Sequence, residues 1–403
     1  MYHMNIGVLT YHKSCNFGAN LQAYSTLNYL KKSGYNPVLI DYFPESLYVF
    51  GKNLSDSQQS AHYKFFDNKF SVTKTCTTAQ EIATEISNNN INNIIIGSDA
   101  VFNVCPNLCR IGISRKRIIN FINPVDTLRF PNAFWGVFND YVNTDLNVCV
   151  MSASSQNAKY KRLMPWTKRK MANQLKKMSY ISVRDKWTKA FLENISHGEI
   201  VPDITPDPVF AFNNNVESIP SEEYIQQKFG VKPRGYVLLG FRNRMAPNAN
   251  WLSSFVDIVK KNALECVYLP MPDLFGEQTL QSPISPLEWY ALIKYSAGYV
   301  GNNMHPIVIA LHNSIPFYSF DQYGVFNLLG YRNEKASKTF DVLEKAEMLD
   351  YRTPFMPIKK VLPSPEYVWK KITEFDTSKC SEFAKKQFDA YQNMMNNIVE
   401  TFK

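Results

Sequence analysis

At 403 residues, with 45% hydrophobic and 20% charged side chains, the chain carries enough apolar material for two folded domains and is not a disordered polymer. It shows no basic and apolar leader and no run of about 18 apolar residues, so the expected setting is the cytoplasm. The net charge is +9 and the aromatic content 14%, but bases and aromatics do not interleave in an RNP-like pattern, and nucleic acid is not an expected partner.

In chain order, Asn5 to Leu9 reads as a strand and 12–20 as a polar loop. Leu21, Tyr24, Leu27 and Leu30, spaced three apart and closed by Gly34, read as a helix. Pro37 to Asp41 is the next strand, so the chain opens in the β-loop-α-β order of a Rossmann-like sheet. Runs at 92–99 and 147–152 continue that sheet. Between them, 106–140 is rich in Pro, Asn and aromatics without a period, and reads as a long loop or lid, functional or simply packed. A second α/β series starts near Tyr180, with strands at 180–183, 236–241, 266–269, 298–301 and 316–319 and helices over 251–261 and 286–295. The tail from Ser364 is helical.

The predicted organisation is an N-terminal Rossmann-like domain over 1–178 carrying the 106–140 insertion, a C-terminal one over 179–363, and a helical tail over 364–403. Ligands of such α/β sheets bind at the carboxyl ends of the strands, which two facing halves place in an interdomain cleft.

Two compositional features bear on partners. The seven cysteines are scattered. Cys105 and Cys109 form the only close pair, without a second pair at zinc spacing, so reduced thiols are expected rather than a metal site. Lys159, Lys161, Arg162, Lys168, Arg169, Lys170, Lys176 and Lys177 fall in one acid-free segment, and Arg115 to Arg117 form a second basic cluster. The 159–177 segment is either a solvated helix face or a surface for anionic lipid or a phosphate-bearing substrate. Met164, Met171, Leu175 and Met178 recur in it at helical spacing, as an amphipathic or a core stripe.

Polar clusters follow several strands: Ser98 and Asp99, Arg184 and Asp185, Arg242 and Arg244, and Asn302-Asn303-Met304-His305. His305 leads into an apolar helix, where backbone N–H groups favour an anion. Spacing alone leaves it a helix cap or a site residue, and leaves Arg184 beside Asp185 a surface pair or a clamp. Arg242 and Arg244 alternate along a strand end, so at most one of them faces a ligand. Neither a dinucleotide or phosphate-loop signature nor a metalloprotease or nucleophile-elbow motif is present. No acidic triplet suggests a metal-dependent sugar-nucleotide site, which implies catalysis without a metal.

Read together, these segments resemble the polysaccharide pyruvyl transferases. The resemblance is carried by Ile6 to Tyr11, Asn16 to Tyr24 and Ile40-Asp41-Tyr42, then by Ile95 to Asn103, where that family usually reads Gly-Ser-Asp-Gln-Val-Trp-Asn. Ile181 to Asp185, Pro202 to Phe210, Glu288 to Lys294, and Gly301 to His305 with Ile315-Pro316-Phe317 complete it, in order over about residues 5–325. Ala100, Phe102 and Pro306 depart from the usual Gln, Trp and Gly.

The resemblance implies two facing Rossmann-like domains of the GT-B kind. It also implies pyruvate transfer from phosphoenolpyruvate, a co-substrate rather than a cofactor, to a hydroxyl pair of a sugar. That sugar belongs to a bacterial surface polysaccharide, such as capsule or exopolysaccharide, or to its lipid-linked precursor. His305 is then the candidate general acid/base, with Asp99 a second catalytic candidate. Arg184, Arg242, Arg244 and Asn303 are candidates for the donor, and Asn16, Asn20, Ser98 and Asn103 for the acceptor. A lipid-linked acceptor fits a peripheral position at the inner face of the membrane, through segment 159–177. Two alternatives share the cleft: a glycosyltransferase using a nucleotide sugar, and a non-catalytic glycan- or anion-binding protein.

Overall fold

The computed structural model describes residues 4–44, 47, 54–105, 110–113, 119–122, 126–156, 158–242, 246–269, 280, 282–321, 324–326, 332–354 and 362–402. The first of two parallel sheets begins with β1 (Asn5–Leu9), α1 (Phe17–Lys32), β2 (Asn36–Leu39), α2 (Asp56–Tyr63), β3 (Ser71–Val72), α3 (Ala79–Asn88) and β4 (Asn93–Ile96). An antiparallel hairpin of β5 (Arg110–Ile113) and β6 (Ile119–Ile122) follows. The sheet resumes with β7 (Asn147–Ala153), α4 (Pro165–Leu175), β8 (Tyr180–Val183), α5 (Lys186–Ile195) and β9 (Asp203–Ile204). Its order is β3-β2-β1-β4-β7-β8-β9, every pairing parallel. This corrects the expected division at 178/179: the strand 180–183 read as opening the second series pairs with β7 and closes the first sheet, which extends to Ile204, because a buried apolar strand carries no mark of which sheet it joins.

The local reasons are ordinary ones. β4 is buried at every position, as a strand covered on both faces must be, so it reads Asn-Ile-Ile-Ile without alternation. Helix α1 starts at Asn16, whose side chain accepts from the backbone N–H groups of Gly18 and Ala19. A reciprocal Thr78–Glu81 capping box opens α3.

After α6 (Phe212–Asn215) and α7 (Glu222–Phe229), the second sheet runs β10 (Tyr236–Gly240), α8 (Ala249–Lys261), β11 (Glu265–Tyr268), α9 (Pro286–Lys294), β12 (Gly298–Gly301), α10 (Met304–His312) and β13 (Phe317–Asp321). A ribbon of β14 (Val325–Phe326) and β15 (Arg332–Asn333) and helix α11 (Lys338–Lys345) precede β16 (Arg352–Pro354). The order is β11-β10-β12-β13-β16, again parallel.

The tail divides between the two halves. Helix α12 (Pro365–Thr373) packs Val368 and Ile372 with Val237, Leu239 and Phe255 of the second half. Helix α13 (Thr377–Glu400) sets Cys380 and Phe383 in the core with Phe210 and Val308, and its far end, through Tyr391, Met395 and Ile398, packs with Ile6, Val8 and Leu27 of the first half. Phe17 of α1 stacks on Trp289 of α9, ring centroids 5.1 Å apart and planes within 5°. Gln58 exchanges two hydrogen bonds with the backbone of Ile284, at 2.8 and 2.9 Å.

The 106–140 stretch differs from a structureless lid. Part of it is the β5–β6 hairpin, and three short 3-10 turns over 126–141 send Phe134, Trp135 and Phe138 into the first core. Aromatic anchors without a regular period read as loop in sequence and as core in space. Among the described residues no helix is long and apolar enough to cross a membrane.

Each sheet reverses its winding once, between β1 and β4 in the first and between β10 and β12 in the second. The loops beyond those strand ends carry 10–16 and 97–99 on one side, and 242 and 302–303 on the other. Such reversal points are where open α/β sheets receive ligands.

Candidate active site

Construction of the site begins at the end of β12. A Cβ at Gly301 would collide with the Tyr299 hydroxyl and the Gly240 carbonyl, so this close approach requires glycine. The Tyr299 hydroxyl donates to the Gly240 carbonyl at 3.3 Å and accepts the Asn303 N–H at 3.3 Å. That turn delivers His305 as the second residue of α10, 8% exposed. Pro306 stands third in the helix, where its missing N–H would have had no intrahelical partner. Across the cleft, a Cβ at Gly18 would collide with Nδ1 of His305, so the first turn of α1 rests directly on the imidazole.

The other side of the ring faces Asp207, which caps the turn Pro208–Ala211 after β9. One Asp207 oxygen accepts the Val209 N–H at 3.0 Å. The other accepts from Gln22 Nε2 at 2.6 Å and from Arg184 Nη1 at 2.7 Å, and lies 3.9 Å from His305 Nε2. Arg184, at the end of β8, is 3% exposed. Among the described residues, its Nε and Nη2 are buried without a hydrogen-bond partner, as is His305 Nε2. Nε and Nη2 are the two nitrogens of the side-on edge of a guanidinium, the fork that meets a carboxylate or phosphate bidentately. A buried donor pair left open by the protein is an anion-binding face, since burying such donors without an acceptor is costly.

Burial is the main cause that lowers His305 to about 4, and Lys338 and Arg184 press in the same direction against Asp207 and Asp99. The imidazole is therefore neutral at neutral pH. Asp207 is held below the usual carboxylate range because Arg184 and His305 outweigh the cost of burying it.

His62 and His312 are also lowered to about 4 by burial. Between the ordinary histidine value near 6.5 and about 4, the unfolded chain binds protons that the fold does not. Stability therefore falls as pH falls through that window, by about 1.4 kcal/mol per pH unit for each imidazole. Urea midpoints measured from about pH 7 down to about pH 5 should drop accordingly. A flat profile would mean these rings are charged in the fold.

The candidates read from sequence fall into two groups. Arg184, His305 and Asp99 come together: Asp99 is buried at the end of β4 with φ +73°, and its charge acts on both of the others. Ser98 beside it is buried with its Oγ unpartnered. Asn303 holds the N-cap position of α10, and exposed Arg242 donates its backbone N–H to Asn302 at 3.3 Å, beside the same turn. The Asn16, Asn20 and Asn103 side chains have protein partners. The Asn16 side chain caps α1. Asn20 donates to the His12 carbonyl at 2.5 Å and pairs with His62 at 2.7 Å. Asn103 donates to Gln156 at 3.2 Å. Arg244, Cys109 and the 115–117 cluster lie outside the described residues.

Sequence reasoning does not single out Asp207, Gln22 or Lys338. Gln22 and Asp207 sit inside recognisable motifs, and an Asp-Pro pair is a fair capping signal, but nothing local says that both converge on Arg184. Lys338, at the first position of α11, acts on His305 through its charge, a proximity that only the tertiary fold creates.

Comparison with known proteins adds two findings. A family model described as polysaccharide pyruvyl transferase matches residues 16–322. Among solved structures, a UDP-GlcNAc 2-epimerase from Neisseria meningitidis bound to UDP-GlcNAc superposes with a TM-score of 0.53 at 11% identity, covering 99% of this chain and 100% of that one. A Listeria monocytogenes structure provisionally described as a UDP-N-acetylglucosamine 2-epimerase gives 0.53 at 11%, with 100% and 97% covered. Arabidopsis thaliana UGT89C1, complexed with UDP-L-rhamnose, gives 0.50 at 9%, with 99% of each chain covered. No curated protein matches. At these identities the likeness speaks to the fold, which is GT-B-like: two Rossmann-like domains facing across a cleft.

Proposed function

Because the chain belongs to the polysaccharide pyruvyl transferase family, we propose that it moves pyruvate from phosphoenolpyruvate onto two hydroxyls of a sugar, forming a ketal and releasing phosphate. The sugar is that of a surface polysaccharide or of its lipid-linked precursor. The observation that carries this reading is the open side-on edge of Arg184, buried beside a neutral His305 whose Nε2 is also free.

In this reading the Arg184 fork takes the donor carboxylate or phosphate, with Lys338, Arg242 and Asn303 around it. An anion bound there favours the protonated form of His305, with Asp207 behind the ring. His305 then gives its proton to the methylene carbon, and positive charge develops at the carbon bearing phosphate. One sugar hydroxyl adds to that carbon and yields its proton to Asp99. The carbon–oxygen bond to phosphate breaks, phosphate leaves with that proton, and the second hydroxyl closes the ketal. The second hydroxyl's proton returns to His305. In the same reading Ser98, next to Asp99, meets the acceptor.

The test is incubation with phosphoenolpyruvate and a panel of lipid-linked acceptors ending in galactose, mannose or glucose, following phosphate release together with mass gain on the glycan. Turnover of a nucleotide sugar instead, with no phosphate release from any acceptor, would sink the reading. Gly18→Ala supplies a finer check. Its methyl occupies the space of His305 Nδ1, and a displaced ring is expected to cost about 10²-fold in turnover. Unchanged turnover would mean the imidazole does not need that seat.

A further inference from the structure

Helix α4 buries Met171, Ala172 and Leu175 and turns a different chemistry outward. Trp166 is 61% exposed, Met164 47%, and Tyr141 of the neighbouring turn 52%. Arg169 and Lys170 follow Trp166 at helical spacing, so they share its side of the helix, and Lys161 and Arg162 are exposed just ahead of it. Lys177 is paired with Asp140 at 2.5 Å, Lys176 is paired with Glu199, and Lys168 donates to Asn194 at 2.9 Å. Among the described residues no carboxylate pairs with Lys161, Arg162, Arg169 or Lys170. A groove of about 860 Å³ runs beside the helix, with Trp166, Tyr141, Lys170 and Lys177 in its wall.

We infer that this face is a contact surface for an anionic lipid bilayer. A merely solvated basic helix gains nothing by exposing a Trp and a Met at its start. Indole and thioether belong at the level of the headgroups, and unpaired cations alongside them meet the negative charge of phosphate-bearing lipids. At about 860 Å³ the groove has the volume to take a headgroup beside Trp166 and Lys170. The charge pattern selects an anionic surface over a neutral one and over a basic protein partner. This inference rests on surface chemistry and not on the proposed reaction.

The experiment uses the purified full chain and vesicles of phosphatidylcholine, alone or mixed with phosphatidylglycerol. Sedimentation with the mixed vesicles only, weakening as salt rises, is the expected result. Reversing Lys161, Arg162, Arg169 and Lys170 to Glu should lower binding by at least about 10²-fold, given roughly fivefold for each basic residue removed. Trp166→Ala with Met164→Ala should lower it by about tenfold, with little dependence on salt. These side chains are exposed, and among the described residues none of them shares a hydrogen bond, ion pair or ring contact with Arg184 or His305, so circular dichroism and turnover of a water-soluble acceptor should not move. Failure of the wild-type chain to bind, equal binding to neutral vesicles, or indifference to charge reversal would overturn the inference. So would capture of a soluble glycan at Trp166 without vesicle binding. Absence of pyruvyl transfer would leave the vesicle result standing, so the two readings fail separately.

Discussion

Replacing His305 by glutamine is expected to lower turnover by about 10²-fold or more while leaving phosphoenolpyruvate affinity within a few-fold. The imidazole is buried, neutral at neutral pH and free at Nε2, so it is poised to change protonation when an anion arrives. Glutamine keeps a polar side chain under Gly18 but cannot carry a proton. Affinity should hold because the Arg184 fork is untouched. In a merely structural role, the loss would appear in stability and affinity rather than in turnover. The same variant removes one of the three low-titrating histidines, so its acid stability slope should shrink by about 1.4 kcal/mol per pH unit. Single-turnover kinetics with titrated binding separates the effects. Turnover within about tenfold of wild type would reduce His305 to the residue that seats α1.

The framework is legible because both sheets are parallel and covered on both faces. Ile94 to Ile96 and Tyr236 to Gly240 therefore stand out as unbroken apolar runs. The edges are not legible. Ser71–Val72 and Asp203–Ile204 are two-residue strands, too short for any period to show. The tail is readable as helix, but its destination is not. The contact of α13 with Ile6 and Val8 joins the two ends of the chain, and no local pattern encodes such a pairing.

The site divides in the same way. Polar residues after a strand mark the ligand edge of an α/β sheet, which is how Asp99, Arg184 and the turn before His305 are found. Whether a given amide is available there depends on partners far away in sequence. Asn20 illustrates this, since its amide is committed to His12 and His62 inside the first half. Asp207 is the converse: an unremarkable Asp-Pro step in sequence that gathers Gln22, Arg184 and His305 in space.

Asp207→Ala is expected to be the most destabilising single change at the site, by about 3–5 kcal/mol, because it strands the buried Arg184 charge. It also strips the Val209 N–H of its cap and leaves Gln22 Nε2 without its acceptor. Arg184→Met combined with Asp207→Leu should recover most of that stability, since a buried ion pair is seldom worth more than well-packed apolar side chains of similar size. The double variant should not recover phosphoenolpyruvate binding. Loss of a bidentate, charge-assisted contact is expected to weaken affinity by about 10²-fold. Urea denaturation and calorimetric titration with phosphoenolpyruvate measure the two quantities independently. Arg184→Lys is the sharpest discriminator, because it keeps the charge and discards the fork. Should Arg184→Lys bind phosphoenolpyruvate as tightly as wild type, Arg184 acts as a point charge, and the open Nε–Nη2 edge is not the anion's seat.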